Sequence, residues 1–225
     1  MTDNTENQIQ GTMKETQNSF SLLREVWEWI YTIIIALLVV FILKAFIFDI
    51  VRVDGPSMHP TLVNNDRLIV TKLGYKPEAG DIIILDSSYK DRQEYYAEYE
   101  ENNGENLNFF SKMVLYTKLP ESLKRRYYVK RIIGMPGDTV DIKDGQVWVN
   151  GEVLNEPYYD GITGITDYSV SYPVTVEEGH VFVMGDNRPN SKDSRSSDLG
   201  LVPINAIEGK SQLRIWPFTA FGPTE

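Results

Sequence analysis

A long apolar run near the N-terminus constrains the fold of this chain more than any other feature of its sequence. Residues 29–43 contain no charged side chain, and past Lys44 the run continues to Phe48. As a helix, these twenty residues would span about 30 Å, which is the thickness of the hydrocarbon core of a bilayer. The run therefore predicts one transmembrane helix at residues 29–48, preceded by an N-terminal tail at residues 1–28.

Two alternatives to a permanent anchor are a cleaved signal peptide and the buried helix of a soluble protein. A signal peptide begins with a basic segment, whereas residues 1–28 hold five acidic residues against Lys14 and Arg24. No polar face interrupts the run as it would in a surface helix of a soluble protein. We therefore interpret the run as an anchor. The positive-inside rule does not orient it, because Lys14 and Arg24 on one side balance Arg52 and Arg67 on the other.

The composition of the remaining 177 residues bounds the possible functions. This length suffices for one sizeable core or for one core with an inserted subdomain. A net charge of −10 argues against binding to a phosphate backbone, so we expect no nucleic-acid partner. The chain has no cysteine, no HExxH motif and two isolated histidines, so we expect neither a metal nor a cofactor.

Most of the chain after the anchor is typical of β-strands, because it is rich in valine, isoleucine and aromatic residues. The candidate strands are residues 50–53, 67–72, 81–85, 127–133, 139–142, 146–150, 180–184 and 211–216. Asp144-Gly145 and Asn150-Gly151 suit tight hairpin turns, and Pro136-Gly137 suits another turn. These features predict a mainly β, antiparallel, barrel-like domain at residues 49–225.

Residues 87–126 interrupt this pattern of strands and turns. The segment is rich in tyrosine and in charge, and it is acidic at residues 91–105. A connection of about forty residues is too long for a simple turn. Three alternatives remain open: an inserted subdomain with residues 107–117 as its ordered core, a mobile flap, or a solvated loop. We assign no chemistry to the segment.

A serine and a lysine are the candidate chemical pair. Ser57 lies in the segment GPSMHPT, residues 55–61, soon after the anchor. A serine hydroxyl needs a base to become a nucleophile. His59 is restricted by the proline that follows it and His180 begins a strand, so we expect structural roles for both. Lys130 lies among apolar residues of a strand, where burial would favour its neutral form. The strand pattern alone is also consistent with Lys130 facing solvent on an edge strand.

Three motifs carry a family resemblance that favours the first interpretation. Residues 55–61, residues 128–138 (YVKRIIGMPGD) and residues 185–195 (GDNRPNSKDSR) resemble, in this order, the signature boxes of bacterial type I signal peptidases. The resemblance extends from the anchor to Trp216. It implies that Ser57 is the nucleophile, that the catalytic domain lies outside the cell membrane and that the N-terminal tail is cytoplasmic.

The resemblance also implies roles for other residues. Lys130 would be the general base, and Ser191 would orient it through a hydrogen bond. The residues expected around the substrate pocket are Val53, Met58, Tyr128 and Val129. The residues expected to act as scaffold are Asp186, Arg188, Asp193 and Arg195, with the pair of Asp193 and Arg195 mattering most for shape. Without the resemblance, the same charges would fit a solvated loop of weak ion pairs. Gly55 replaces a serine that supplies a second oxyanion donor in some family members.

The implied function is that of a single-pass membrane serine endopeptidase that removes signal peptides from exported preproteins. Cleavage would follow small residues in an Ala-x-Ala pattern, with preproteins and membrane lipid as partners and the oligomeric state left open. The alternative is a non-cleaving relative that serves as a scaffold for surface-fibre assembly, which the presence of both dyad residues disfavours. A self-cleaving repressor would need a DNA-binding module. The SxxK match at residues 87–90 lacks the SDN and KTG motifs of penicillin-recognising enzymes.

Overall fold

The computed structural model describes residues 24–104 and 106–224, except for the side chains of residues 45 and 46. The chain divides into two compact units, Met1–Ile47 and Phe48–Glu225. Residues 1–23, which form most of the predicted N-terminal tail, lie outside the described residues.

The described part of the first unit is mainly one helix. Helix α1, Arg24–Ile42, has 19 residues and is long and apolar enough to cross a membrane. A π-helical turn follows at Leu43–Ile47, and strand β1 begins at Phe48. The helix therefore begins and ends earlier than the predicted span at residues 29–48. The difference arises because an apolar run reports hydrophobicity rather than conformation, and its last residue, Phe48, pairs in a β-sheet instead.

The second unit is built of antiparallel strands, as predicted. The eight predicted strands correspond to β1 (Phe48–Arg52), β2 (Arg67–Thr71), β3 (Ile82–Asp86), β4 (Tyr127–Gly134), β5 (Thr139–Lys143), β6 (Gln146–Val149), β9 (His180–Met184) and β11 (Ile207–Trp216). Four further strands of two residues each are β7 (Glu152–Val153), β8 (Val174–Thr175), β10 (Val202–Pro203) and β12 (Gly222–Pro223). These four escaped prediction because two residues are too few to show an alternating pattern.

The strands form two sheets, and the barrel does not close among the described residues. The large sheet has the order β1-β2-β11-β3-β4-β9-β10, with β12 paired to β11, and the small sheet has the order β7-β6-β5-β8. One row of paired residues crosses the large sheet, and it contains Phe48, Thr71, Lys210, Ile83 and Lys130. Lys130 therefore lies level with the first residue of β1.

The turns of the small sheet follow from their glycine dipeptides. Asp144 and Gly145 have φ angles of 55° and 76°, and Asn150 and Gly151 have φ angles of 54° and 85°. Positive φ at both central residues is what a tight hairpin requires, and Asn, Asp and Gly adopt it most readily. These turns connect β5 to β6 and β6 to β7, which confirms both predicted hairpins.

The core of the second unit consists of three apolar clusters. The cluster nearest to Ser57, here called the first cluster, contains Val53, Met58, Leu62, Leu68, Val70, Ile82 and Ile84. Burial of each such side chain stabilises the fold by about 1.5–3 kcal/mol. The first cluster therefore fixes the segment between β1 and β2 to the sheet, because Met58 and Leu62 of that segment are fully buried in it.

Two helices form the segment between β3 and β4. Helix α2, Tyr89–Asn103, is capped at its C-terminus by Gly104, which adopts a left-handed φ of 64°. Helix α3, Phe109–Thr117, begins at Asn108, whose side chain accepts a hydrogen bond from the Ser111 N–H. The segment thus has regular structure, although no residue of α3 is buried.

Candidate active site

Ser57 lies in the connection between β1 and β2, residues 53–66, which we call the Ser57 loop. The Val53 N–H donates to the Asp66 carbonyl oxygen at 2.8 Å, and this hydrogen bond closes the base of the loop. Met58 is 1% exposed and anchors the loop in the first cluster, whereas the neighbouring Ser57 is only half-buried. The fold therefore holds the serine in place while leaving it accessible.

Lys130 meets Ser57 from the middle of β4. Its Nζ donates hydrogen bonds to Ser57 Oγ at 2.8 Å and to the Val129 carbonyl oxygen at 3.0 Å. The lysine is only 3% exposed, so it is not the solvent-facing residue that its strand pattern also allowed. His59, in contrast, is exposed, and His180 contacts the Glu178 carbonyl oxygen.

The burial of Lys130 alters its proton affinity. Desolvation lowers the pKa of Lys130 from its ordinary 10.5 to about 8. The nearby carboxylates of Asp193 and Asp186 oppose this change by raising the pKa, and Arg195 lowers it further. Desolvation dominates because a buried amine loses the water that stabilises its charged form. A substantial fraction of the amine is therefore neutral in mildly alkaline solution.

The segment after β9 holds the Ser57 loop in place. Asn187 donates through its backbone N–H to the Ser57 carbonyl oxygen and through its side-chain amide to the Pro56 carbonyl oxygen, both at 3.0 Å. Thr61 Oγ1 donates to Asp186 Oδ2 at 2.6 Å. Sequence reasoning did not single out Asn187 or Thr61, although both lie within the quoted motifs. Both tie the backbone of the Ser57 loop to the segment after β9.

Asp186 and Arg188 are two of the four charged residues expected to act as scaffold, and each of them pairs with a residue outside the third motif. Asp186 does not pair with Arg188. Instead, Asp186 accepts hydrogen bonds from Arg131 Nε at 2.9 Å and Nη2 at 2.8 Å. Arg188 pairs with Glu156, donating from Nη1 to Oε2 at 3.1 Å. Because Arg131 directly follows Lys130 on β4, its pair with Asp186 joins the strand of the lysine to the segment that holds the Ser57 loop.

Asp193 and Arg195 form a buried bidentate pair. Arg195 donates from Nε to Asp193 Oδ1 at 2.8 Å and from Nη2 to Oδ2 at 2.9 Å, and each residue is 1% exposed. Asp193 Oδ2 also accepts from the Gly185 N–H at 3.0 Å, and Arg195 Nη2 donates to the Arg188 carbonyl oxygen at 2.7 Å. These charges are therefore not a solvated loop, and the pair organises the backbone on which Gly185 and Arg188 lie.

Ser191 lies beside the dyad without the predicted hydrogen bond to Lys130. Its Oγ is buried and has no hydrogen-bond partner among the described residues. A Cβ placed on Gly185 would lie 2.3 Å from Ser191 Oγ and 2.4 Å from the Ser57 carbonyl oxygen. The backbone of Gly185 thus separates Ser191 from the Ser57 loop at a distance that only a glycine permits.

The predicted pocket residues divide between two apolar clusters. Val53 and Met58 belong to the first cluster and Val129 packs against it. Tyr128 packs against a different cluster, and its ring centroid lies 5.2 Å from Lys130 Nζ. The structure thus brings three of the four together and places the fourth beside the lysine.

Gly55 supplies no hydroxyl group near the serine. Its backbone has a φ of 98°, and its N–H donates to Asn64 Oδ1 at 3.1 Å. Sequence reasoning did not identify Asn64, because a single asparagine in a turn gives no functional signal of its own. The side-chain amide of Asn64 therefore holds the loop at the position of the missing serine.

Comparison with known proteins identifies the family to which this arrangement belongs. The family model described as signal peptidase, peptidase S26, matches residues 26–216. This chain belongs to that family. Its membership makes it a serine peptidase, and thus a hydrolase.

Relatives of signal peptidase type are similar over nearly the whole chain. Signal peptidase I of Bacillus licheniformis is 34% identical, and the match covers 93% of this chain and 98% of that protein. Signal peptidase IB of Staphylococcus aureus strain COL is 32% identical, with coverage of 88% and 93%. A crystal structure of a signal peptidase I from Enterococcus faecalis V583 gives a TM-score of 0.39 at 27% identity, covering 60% of this chain and 97% of that one.

Proposed function

We propose that this chain is a membrane-anchored endopeptidase that removes signal peptides from exported preproteins with a dyad of Ser57 and Lys130. The observation that carries the proposal is the 2.8 Å hydrogen bond between Lys130 Nζ and Ser57 Oγ. The names of the relatives, signal peptidase I and IB, support the substrate class. The apolar helix α1 supports the anchor.

The reaction begins with transfer of a proton within the dyad. The neutral Lys130 amine accepts the Ser57 hydroxyl proton, and Ser57 Oγ attacks the carbonyl carbon of the scissile bond. The resulting ammonium then protonates the leaving amine, and an acyl-enzyme remains. The amine next takes a proton from a water molecule as the water oxygen attacks the ester carbonyl, and the ammonium returns this proton to Ser57 Oγ when the C–Oγ bond breaks and the acyl product leaves as its acid. Burial of Lys130 supports this role because the pKa of about 8 leaves enough neutral amine near neutral pH.

The tetrahedral intermediates require hydrogen-bond donors for their negative oxygen. The backbone N–H of Ser57 is one candidate donor. Loss of one such donor typically costs about 2.7–4 kcal/mol. Gly55 has no side chain and its own N–H is bonded to Asn64, so a second donor has to come from another backbone group or from water.

Ser191 completes the proposed lysine site. Its buried hydroxyl has no hydrogen-bond partner among the described residues, so it is available to bond to the lysine amine. We assign it the positioning of Lys130 through a hydrogen bond to the amine.

The proposed substrate lies extended beside the first half of β4. Backbone pairing of β4 with β9 begins only at Arg131, whereas Asp86 to Ile83 of β3 pair with Tyr127 to Lys130 on the other side. A peptide strand can add to the side without β9 partners. Val53, Met58 and Val129 then border the pocket for the small residue before the scissile bond. Tyr128 lies on the lysine side.

The proposed topology has residues 1–28 in the cytoplasm and residues 49–225 outside, with residues 87–126 as an insertion in the catalytic domain. The anchor confines enzyme and preprotein to one bilayer, which shortens their search for each other. Membrane lipid and preproteins are then the partners.

A cleavage assay tests this function. Full-length protein in detergent micelles is incubated with a preprotein that has alanine at the positions one and three before the bond, and mass spectrometry locates the cut. We expect cleavage after the second alanine, with none by Ser57→Ala and none when the alanine at the bond is replaced by leucine. Folded wild-type protein that cleaves no preprotein would instead favour the non-cleaving scaffold.

A further inference from the structure

Helix α3 presents its apolar face to the outside of the domain. Phe109, Phe110, Met113 and Val114 are 75%, 70%, 55% and 55% exposed. They form two pairs at positions i and i+4, Phe109 with Met113 and Phe110 with Val114, and the two pairs lie side by side on the helix surface. Surface helices of soluble domains normally bury such a face. We call these four side chains the α3 apolar face.

The opposite face of α3 contacts the domain through polar and aromatic groups. Lys112 Nζ lies 5.7 Å from the centroid of the Tyr96 ring, and Tyr116 Oη accepts from the Arg125 N–H at 3.2 Å. Asn108 caps the first turn of the helix. Because these contacts fix α3 from behind, the outward direction of its apolar face is a property of the folded insertion.

The insertion is joined firmly to the two strands from which it emerges. Arg92 of α2 forms a buried ion pair with Asp86, the last residue of β3, and donates to the Leu123 carbonyl oxygen at 3.3 Å. Arg126, just before β4, donates to Ser88 Oγ at 3.2 Å. Any surface that binds α3 would therefore also orient β4, which carries Lys130.

The insertion leaves the large sheet at the end of the strands where β1 begins. Phe48, the first residue of β1, is level with Ile83 and Lys130 in the row of paired residues. The chain reaches Asp86 by continuing β3 beyond this row, and it returns through Tyr127 of β4. The chain enters the second unit at Phe48, so the insertion leaves the sheet at the same end of the strands at which the chain enters it.

The charges of the insertion favour an anionic surface at α3 and disfavour one at α2. Residues 106–118 contain no acidic residue and one exposed lysine, Lys118, besides the inward-facing Lys112, whereas α2 contains five acidic residues against one lysine and one arginine. Anionic lipid attracts the first segment and repels the second. A second copy of the chain is a poorer occupant, because four side chains on one short helix fall short of the roughly 800 Å² per partner of a stable interface.

We propose that α3 is a membrane-docking helix whose apolar face inserts into the interfacial region of the bilayer that holds the anchor. The proposal rests on the membrane anchoring given under the proposed function. A nine-residue helix binds lipid weakly by itself, but the tether gives it a high effective concentration at the surface. Docking would hold β4 and its lysine at a fixed height above the lipid.

Site-specific labelling tests the docking, because the chain contains no cysteine. Val114→Cys and, as a matched control on α2, Ala97→Cys are labelled with an environment-sensitive nitrobenzoxadiazole dye; both native side chains are exposed. The full-length proteins are placed one per nanodisc in phosphatidylglycerol mixed with brominated phosphatidylcholine. We expect blue-shifted emission and bromine quenching at position 114, and water-like, unquenched emission at position 97.

Three outcomes would overturn the proposal. They are emission at position 114 that matches position 97, a blue shift at 114 without bromine quenching, and failure of the protein to enter nanodiscs, which would overturn the anchor as well. Phe109→Ser/Phe110→Ser in the Val114→Cys protein should abolish the quenching while the protein stays in the nanodisc. Preprotein cleavage measured on the same nanodiscs separates the two claims, since quenching without cleavage would leave docking intact and contradict only the proposed peptidase function.

Discussion

Lys130 Nζ lies 2.8 Å from Ser57 Oγ although 73 positions of sequence separate the two residues. The distance is set by two independent attachments. Met58 holds the Ser57 loop in the first cluster, and register with Ile83 places Lys130 in the middle of β4. Asp186 then connects the two by bonding to Thr61 of the loop and to Arg131 of the strand.

The pH dependence of turnover should follow the lysine. The base is the neutral amine and burial lowers the pKa of Lys130 to about 8, so kcat/KM should rise with pH below this value and level off above it. The measurement is cleavage of a peptide substrate without titrating side chains, from pH 6 to pH 10. A flat profile would count against a lysine base.

The same buried amine should make stability depend on pH. Between pH 8 and pH 10.5, unfolded Lys130 binds more protons than folded Lys130, so the free energy of unfolding should rise with pH across this window. Below pH 8, Lys130→Met should be more stable than wild type by up to about 3 kcal/mol, because folding lowers the pKa of Lys130 from 10.5 to about 8.

Denaturant unfolding of both proteins at pH 6 and pH 10 provides the check. The advantage of Lys130→Met should shrink as pH rises, whereas Lys143→Met, at a lysine whose side chain is about half exposed, should show no such change. If the free energies of unfolding of Lys130→Met and wild type differ by the same amount at pH 6 and at pH 10, the folded state does not suppress protonation of the amine.

A methyl group at position 185 should disturb the site. In Gly185→Ala the new Cβ would lie 2.4 Å from the Ser57 carbonyl oxygen, a backbone atom that cannot turn aside. We expect a folded protein with kcat/KM lowered by roughly 100-fold, the size of effect that misplacement of a reacting group by about 1 Å can cause. Gly164→Ala is the matched control because nothing lies within 4 Å of its Cβ position. Equal activity of the two variants would mean that the Ser57 loop accommodates the added methyl group without disturbing the site.

The buried ion pair behind the site should contribute strongly to stability. Asp193→Asn leaves the guanidinium of Arg195 buried without its charge partner, which typically costs about 3–5 kcal/mol. Asp198→Asn is the control, because its pair with Lys192 is exposed on both sides and such pairs contribute about 0–1 kcal/mol. Similar unfolding midpoints in urea for the two variants would contradict this assignment.

Local sequence features predicted most of the β fold. Alternating β-branched residues marked eight strands, and Asp144-Gly145 and Asn150-Gly151 marked two hairpins, because strand and turn propensities act over a few residues. The dyad was predicted from its motifs. The distance between Lys130 Nζ and Ser57 Oγ was not predicted, because contact between these residues depends on the packing of the whole sheet.

The features that escaped prediction depend on long-range packing. The motif gives no sign that Asp186 pairs with Arg131, since that pairing follows from the register of β4 against β9. Glu156 pairs with Arg188 from a segment without any recognisable motif. The outward apolar face of α3 is equally invisible, because periodicity shows that Phe109 and Met113 share a face but not which way it points.

The most direct test of the account is the turnover of Lys130→Met on a preprotein at pH 9, beside wild type and Lys143→Met. Methionine matches the lysine side chain in length up to Cε and lacks the amine. Loss of a general base typically costs about 10²–10⁴-fold, so the account predicts at least that loss in kcat for Lys130→Met, with an unchanged fold by circular dichroism and no loss for Lys143→Met. Turnover by Lys130→Met within a few-fold of wild type would contradict it.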